Sequence, residues 1–139
     1  MKVKRLHKDA ILPTKAHSGD LGYDLYASED VLVGPNQVKL VPCGIALGFP
    51  TGYGGLIKDR SSVSTKLGLF TVAGVIDNGY TGEIKVAMFN SNEELVKLNK
   101  GDKIAQIVLV LATNFTIEEV DDVETADGRG DKGFGSTGV

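Results

Sequence analysis

Cysteine and histidine are nearly absent from this 139-residue chain, which has only Cys43, His7 and His17. One cysteine cannot close an internal disulfide, in agreement with a reducing compartment, and its expected role is that of a small buried apolar residue. Three such side chains cannot build a zinc site of the usual spacing, which excludes the zinc-dependent nucleobase deaminases. Long apolar runs are missing too. Nothing is long enough to span a bilayer, and the charged opening MKVKRLHKDA lacks the apolar stretch of a secretory signal. The expected location is therefore cytoplasmic, with no membrane partner. A strong net charge is also lacking: 15 Lys plus Arg against 18 Asp plus Glu leave −3. No global field exists to hold a long nucleic acid, so any polyanion bound is small and locally met. Arginine is scarce, with only Arg5, Arg60 and Arg129 among the fifteen basic residues. Arg60 and Arg129 sit in polar serine- or glycine-rich stretches where lysine would serve solubility equally well, which points to directed anion contacts.

What is present suits one domain large enough to bury a core without disulfides or a structural metal. Short period-two alternation dominates, as in GIALGF, with Ile45, Leu47 and Phe49 on one face, and EIKVAMFN, with Ile84, Val86 and Met88 on one face. MKVKRLH, GYDLYA, VLV, QVKLV, LFTVAGVI, IAQIVLVL and FTIEEV are further strand candidates. GPN, VPCG, FPTGYGG and NKGD supply the punctuation. About ten short strands separated by turns predict an all-β sandwich or a closed barrel of the jelly-roll kind.

SSVSTKLGL, residues 61–69, breaks the alternation. Its serines suit an N-cap, and Val63 and Leu67 stand at helical spacing before Gly68, which predicts one short helix. Free first-turn N–H groups, the hydroxyls of Ser61 and Ser62 and the Arg60 guanidinium would then converge on a spot suited to a phosphate. The plainer alternative is a capping serine and a solvated arginine.

Other polar residues sit in apolar company. Asp77 ends the strand-like VAGVI, where it either caps the following turn or does chemistry. NGYTG, residues 78–82, reads as a hairpin turn, with Gly79 and Gly82 taking positive φ and Tyr80 at the tip. Asp24 lies between the aromatics of GYDLYA, and Gln106 interrupts the apolar run of KGDKIAQIVL. A buried amide needs partners, and either a structural hydrogen bond or a ligand would serve.

The chain ends GRGDKGFGSTGV, with five glycines among residues 128–139. Such a stretch builds no core and reads as a linker or tag. It also carries Arg129, Phe134, Ser136 and Thr137, which supply a guanidinium, a ring face and two hydroxyls. Its glycines would let main-chain N–H groups approach phosphates.

In order and at suitable separations, GYDLYA, DRSS, GVIDNGYTGE, KGDKIAQIVL and RGDKGFGSTG resemble the five motifs of the trimeric dUTPase family. GFGSTG is the most specific. The resemblance implies a jelly-roll β-barrel over residues 1–127 with one short helix. A flexible glycine-rich arm, residues 128–139, would close over a neighbouring subunit's active site in a homotrimer. It implies hydrolysis of dUTP to dUMP and pyrophosphate by water attack at the α-phosphorus, which limits uracil incorporation into DNA and supplies dUMP for thymidylate synthesis. Asp77 matches the general base, and Gln106 a residue near the water and the α-phosphate. Arg60, Ser61 and Ser62 match the phosphate motif, and Arg129 the group meeting the terminal phosphates. Phe134 and Gly135 belong to the closing arm, with the Phe134 ring stacking on uracil, and Ser136 and Thr137 bond the γ-phosphate. Mg2+ is implied on the triphosphate, with Asp24 acting on it through water.

For base selection the resemblance implies main-chain groups of Gly74, Val75, Ile76 and Lys85. Cytosine reverses the donor and acceptor pattern at two positions, and mismatched buried polar groups discriminate strongly. Tyr80 would pack on the sugar and exclude a ribose 2′-hydroxyl. Three residues depart from the common pattern. Asp59 stands where proline often precedes the arginine, Thr71 where many members place an asparagine on the base, and Gly128 where the arm is usually polar or acidic. The related dCTP deaminase branch, including bifunctional members, shares the fold but has a different C-terminus. Arg129-Gly130-Asp131 spells an integrin-binding tripeptide, but the fifth motif already accounts for it.

Overall fold

A computed structural model describes residues 1–123. The strands are β1 (Lys2–Arg5), β2 (Gly22–Tyr26), β3 (Val31–Val33), β4 (Val38–Gly48), β5 (Tyr53–Lys58), β6 (Leu69–Thr71), β7 (Val75–Ile76), β8 (Glu83–Asn90), β9 (Val96–Leu98) and β10 (Lys103–Leu111). A single helix, α1 (Ser61–Leu67), interrupts them. They form two four-stranded sheets, β1-β4-β8-β6 and β2-β10-β5-β7, and a two-stranded sheet, β3-β9. All pairings are antiparallel. This is the all-β fold expected from the alternation, in the jelly-roll form that the family resemblance implies.

The core follows the period-two code. Ile84, Val86 and Met88 of β8 are fully buried, as are Leu25, Ile104 and Ile107 from the other sheet. Cys43 is buried among them, and burial pushes its thiol up to about 12, with the Glu83 charge adding to the effect. Asn90 is the one buried polar side chain among the described residues. Its amide donates to the carbonyls of Val33 and Glu94, while its Oδ1 accepts from Asn92, so no buried group is left unpaired. The opposite face of β4-β8-β6 carries an apolar patch that no described residue buries. Phe70 and Val38 flank Phe89 across the sheet, Leu40 pairs with Ala87, and Val38, Leu40 and Phe70 are exposed.

Several expectations need correction. The stretch 49–55 is not all punctuation, since Tyr53, Gly54 and Gly55 open β5. A Cβ on Gly55 would lie 2.7 Å from the Ile107 side chain and 2.8 Å from Phe49, so glycine here marks close packing. VPCG continues β4 through a bulge between Pro42 and Ala46, with Gly44 at φ 66°. LFTVAGVI splits into β6 and β7 because Ala73 (φ 59°) and Gly74 (φ 101°) turn left-handed between them. NGYTG is not a paired hairpin: β7 bonds β5 while β8 bonds β4 and β6, so it crosses between sheets. Consequently the left-handed glycine lies before the loop, at Gly74, and neither Gly79 nor Gly82 adopts positive φ. FTIEEV forms no strand and is exposed. Among the described residues, no helix is long and apolar enough to cross a membrane.

Candidate active site

The crossing loop and the strands beside it form a cleft of about 290 Å3, lined by Leu40, Val75, Ile76, Asp77, Tyr80, Glu83 and Lys85. Several contacts fix the loop. The Tyr80 amide donates to the Asp77 carbonyl at 3.1 Å, and the Tyr80 hydroxyl donates to the Glu83 carbonyl at 3.0 Å. Asn78 Nδ2 donates to the carbonyls of Pro50 and Tyr53 at 2.8 and 2.6 Å. It is Asn78, therefore, that pins the turn. The exposed Asp77 carboxylate makes no hydrogen bond among the described residues, unlike a capping aspartate. Lys85 lies opposite Pro42. Proline has no N–H to give the ladder there, so the pairing lacks one donor at the start of the bulge.

A second group gathers on the other sheet. Gln106 of β10 is in register with Asp24 of β2 and Lys58 of β5. Its Nε2 donates to the Asp59 carbonyl at 2.8 Å. Gly22 makes this possible, because a Cβ there would come within 2.2 Å of the Gln106 side-chain oxygen. Beside it, Arg60 Nε donates to Asp24 Oδ1 at 2.8 Å, and Lys103 Nζ meets Oδ2 at 2.8 Å. That contact holds the Lys103 ammonium above its ordinary range. Asp59 Oδ1 accepts from both the amide and the hydroxyl of Thr71, each at 2.6 Å.

The helix starts as anticipated, but its cap differs: Arg60 occupies the N-cap and no side chain caps, so Ser61 and Ser62 lie in the first turn. Their amides have no carbonyl behind them within the helix. Only Val63 of α1 is buried, whereas Leu67 is exposed. Arg60, Ser62, Lys66 and Lys103 line a cavity of about 300 Å3 together with Asp102 and three apolar side chains. Its charge is predominantly positive.

The anticipated residues thus fall into two groups: Val75, Ile76, Asp77, Tyr80 and Lys85 line the cleft, and Arg60 and Ser62 line the basic cavity, with Asp24 bonded to Arg60 and Gln106 bonded to the Asp59 carbonyl. The two cavities share no lining residue. Gly74 adjoins the cleft residues in sequence, and Thr71 is turned to Asp59. Arg129, Phe134, Gly135, Ser136 and Thr137 lie outside the described residues. A larger depression, about 590 Å3 between the end of α1 and residues 91–96, holds none of these groups. Sequence reasoning missed Gly22, Lys103 and the site-building part of Asp59. The signal for Gly22 was a glycine opening a strand that must pass a polar neighbour.

A barrel carrying a small cleft and a separate basic cavity suits a small phosphate-bearing ligand better than a nucleic-acid groove. A family model described as dUTPase matches residues 8–138. A deoxyuridine 5′-triphosphate nucleotidohydrolase of Clostridium kluyveri is 44% identical over 139 residues, covering 99% of this chain and 96% of that protein. Its counterpart in Clostridioides difficile is 39% identical, covering 99% and 97%. Among solved structures, the Staphylococcus bacteriophage 80alpha dUTPase with dUPNHPP superposes with a TM-score of 0.92 at 32% identity, covering 99% and 98% of the two chains. A mutant dUTPase of phage phi11 of S. aureus, described with a structural Mg(II) ion, gives 0.82 at 27% identity, covering 89% and 98%. The chain belongs to the dUTPase family.

Proposed function

We propose that the protein hydrolyses dUTP to dUMP and pyrophosphate. A water oxygen bonds to the α-phosphorus, the bridging bond to the β-phosphate breaks, and pyrophosphate leaves with those electrons. The observation that supports this reading is the cleft, whose lining includes Asp77, Tyr80, Val75 and Ile76. An exposed carboxylate without a structural hydrogen bond is available to orient a water and take its proton. Gly74 to Ile76 and Lys85 supply main-chain donors and acceptors for the uracil edge, and Tyr80 packs on the deoxyribose. Arg60, Ser61 and Ser62 bind phosphate oxygens, with Gln106 near the α-phosphate. The relatives are named as nucleotidohydrolases, which favours hydrolysis over the dCTP deaminase alternative.

Separation of the two groups on one chain supports a site shared between copies in a homotrimer, the cleft of one facing the basic cavity of another. The apolar patch of β4-β8-β6 gives such copies a surface to bury. In this arrangement residues 1–127 are the barrel and residues 128–139 the arm that brings Arg129, Phe134, Gly135, Ser136 and Thr137 to a neighbour's site.

Mg2+ fits this donor set as an ion carried by the triphosphate. Among the described residues no three acidic, His or Cys side chains group as a ligand set, and both oxygens of Asp24 are engaged by Arg60 and Lys103. Asp24 would reach the hydrated ion through water. Bound there, Mg2+ supplies charge neutralisation on the phosphate oxygens. Pyrophosphate release measured across dUTP, dCTP, dTTP and UTP with Mg2+ tests the whole reading, with turnover of dUTP alone as the expected result.

A further inference from the structure

Between β6 and β7 the chain takes two consecutive left-handed residues, Ala73 at φ 59° and Gly74 at φ 101°. Alanine pays a steric cost there that glycine does not, and such a step persists only where its surroundings hold it. One short stretch, residues 57–59, grips the step at both ends. The Ile57 amide donates to the Gly74 carbonyl at 2.8 Å. Two residues on, Asp59 Oδ1 takes both donors of Thr71. Space is tight as well, since a Cβ on Gly74 would stand 3.0 Å from the Ile57 carbonyl oxygen. The step leads directly into Val75 and Ile76, which line the cleft.

We propose that Asp59 is a positioning residue for base recognition, holding Thr71 so that the Ala73–Gly74 step presents Val75 and Ile76 to the cleft. This rests on the reading of that cleft as the uracil site. Asp59 touches no substrate. Its geometry requires an acceptor at Oδ1 rather than a negative charge, so Asn at this position keeps both bonds from Thr71 while Ala keeps neither. Strain in the step also makes the role separable from general stability. Glycine at position 73 adopts positive φ without the steric cost, so it reduces the demand for the anchor.

The test uses the full chain as wild type, Asp59→Ala, Asp59→Asn, and Asp59→Ala combined with Ala73→Gly. Amide hydrogen exchange without substrate is followed by kinetics on dUTP and dCTP. Asp59→Ala is expected to speed exchange over residues 71–76 about tenfold, a local opening that leaves the thermal midpoint in place. It should raise KM for dUTP about tenfold with kcat within about threefold, and narrow the preference for dUTP over dCTP. Asp59→Asn should match wild type, and Ala73→Gly should recover most of the lost KM. Unchanged exchange and KM in Asp59→Ala overturn the proposal. So does a loss that comes with a lower thermal midpoint and is not rescued by Ala73→Gly, because that is a structural role only. A wild type that does not hydrolyse dUTP sinks the functional reading instead, while the exchange data still judge Asp59.

Discussion

Arg60 and Asp24 are joined through Nε and Oδ1 at 2.8 Å, and Lys103 holds the other oxygen of the same carboxylate. One anion therefore keeps two cations side by side at the basic cavity. Replacing Asp24 with Asn leaves those cations side by side without the one negative charge that joins them. Because the pair is partly exposed, solvent screens it, and a loss of about 1 kcal/mol is expected. An inorganic anion should substitute for the carboxylate. Added pyrophosphate should raise the thermal midpoint of Asp24→Asn more than that of wild type at matched ionic strength, and equal shifts would show that the cavity does not collect phosphate.

Asp77→Asn tests the base. The carboxylate is exposed and makes no hydrogen bond among the described residues, so the amide should fit without disturbing the loop that Asn78 pins. Turnover should vanish while dUTP affinity stays within roughly tenfold, since Asn keeps the shape but cannot accept the water's proton. Near-normal hydrolysis by this variant would remove Asp77 from the mechanism.

Tyr80 separates two contributions. Its hydroxyl is tied to the Glu83 carbonyl at 3.0 Å, while its ring lines the cleft. Tyr80→Phe should loosen the loop by about 1 kcal/mol or less and keep discrimination against UTP. Tyr80→Ala should raise activity on UTP relative to dUTP, because the steric barrier to a 2′-hydroxyl is gone. If both substrates lose activity in step, the ring only shapes the loop.

Local patterns carried most of the fold into view. EIKVAMFN needed nothing beyond period two to place Ile84, Val86 and Met88 inside, and Gly68 ends α1 in the left-handed conformation expected of a C-cap. What stayed hidden depends on distant partners. Tyr53, Gly54 and Gly55 are strand only because β7 and β10 flank β5, and no local rule says that Phe49 and Ile107 will crowd Gly55. The loop at 78–82 resembles a hairpin because both flanks are apolar, yet which sheet each flank joins is a tertiary fact. Site residues were legible as chemistry, but their grouping was not. Asp59 and Thr71, twelve positions apart, stood out singly as departures from the family pattern, and only the fold shows that each departure is the other's partner.

Alkaline pH should weaken the native state through two groups acting in the same direction. Cys43 has an ordinary value of 9.0 but about 12 when folded, so below pH 9 it contributes no pH dependence. Above that the unfolded thiol ionises first, the native state holds more protons, and stability falls as pH rises toward 12. Lys103, raised above 10.5 by Asp24, contributes stability that is complete below 10.5 and lost as pH climbs through its folded value. Cys43→Ala should therefore flatten the decline in thermal midpoint between pH 9 and 10.5 without abolishing the steeper loss above it. A decline identical to wild type would mean that the thiol ionises freely in the folded protein.

The arm should separate stability from activity. Residues 128–139 have no apolar period in their sequence, so deleting them should leave the thermal midpoint nearly unchanged. Arg129, Phe134, Ser136 and Thr137 carry ligand chemistry, so the same deletion should greatly reduce dUTP hydrolysis. Mixing sharpens the test. If an arm serves a neighbour's site, a tailless chain and an Asp77→Asn chain can complement, because a mixed trimer can combine an intact Asp77 from one subunit with an intact arm from another. Co-assembled subunits should then recover activity that neither parent shows, in proportion to the fraction of such sites. Verified mixed trimers as inactive as their parents would show that the arm does not cross in this protein, even with the reaction itself correctly assigned.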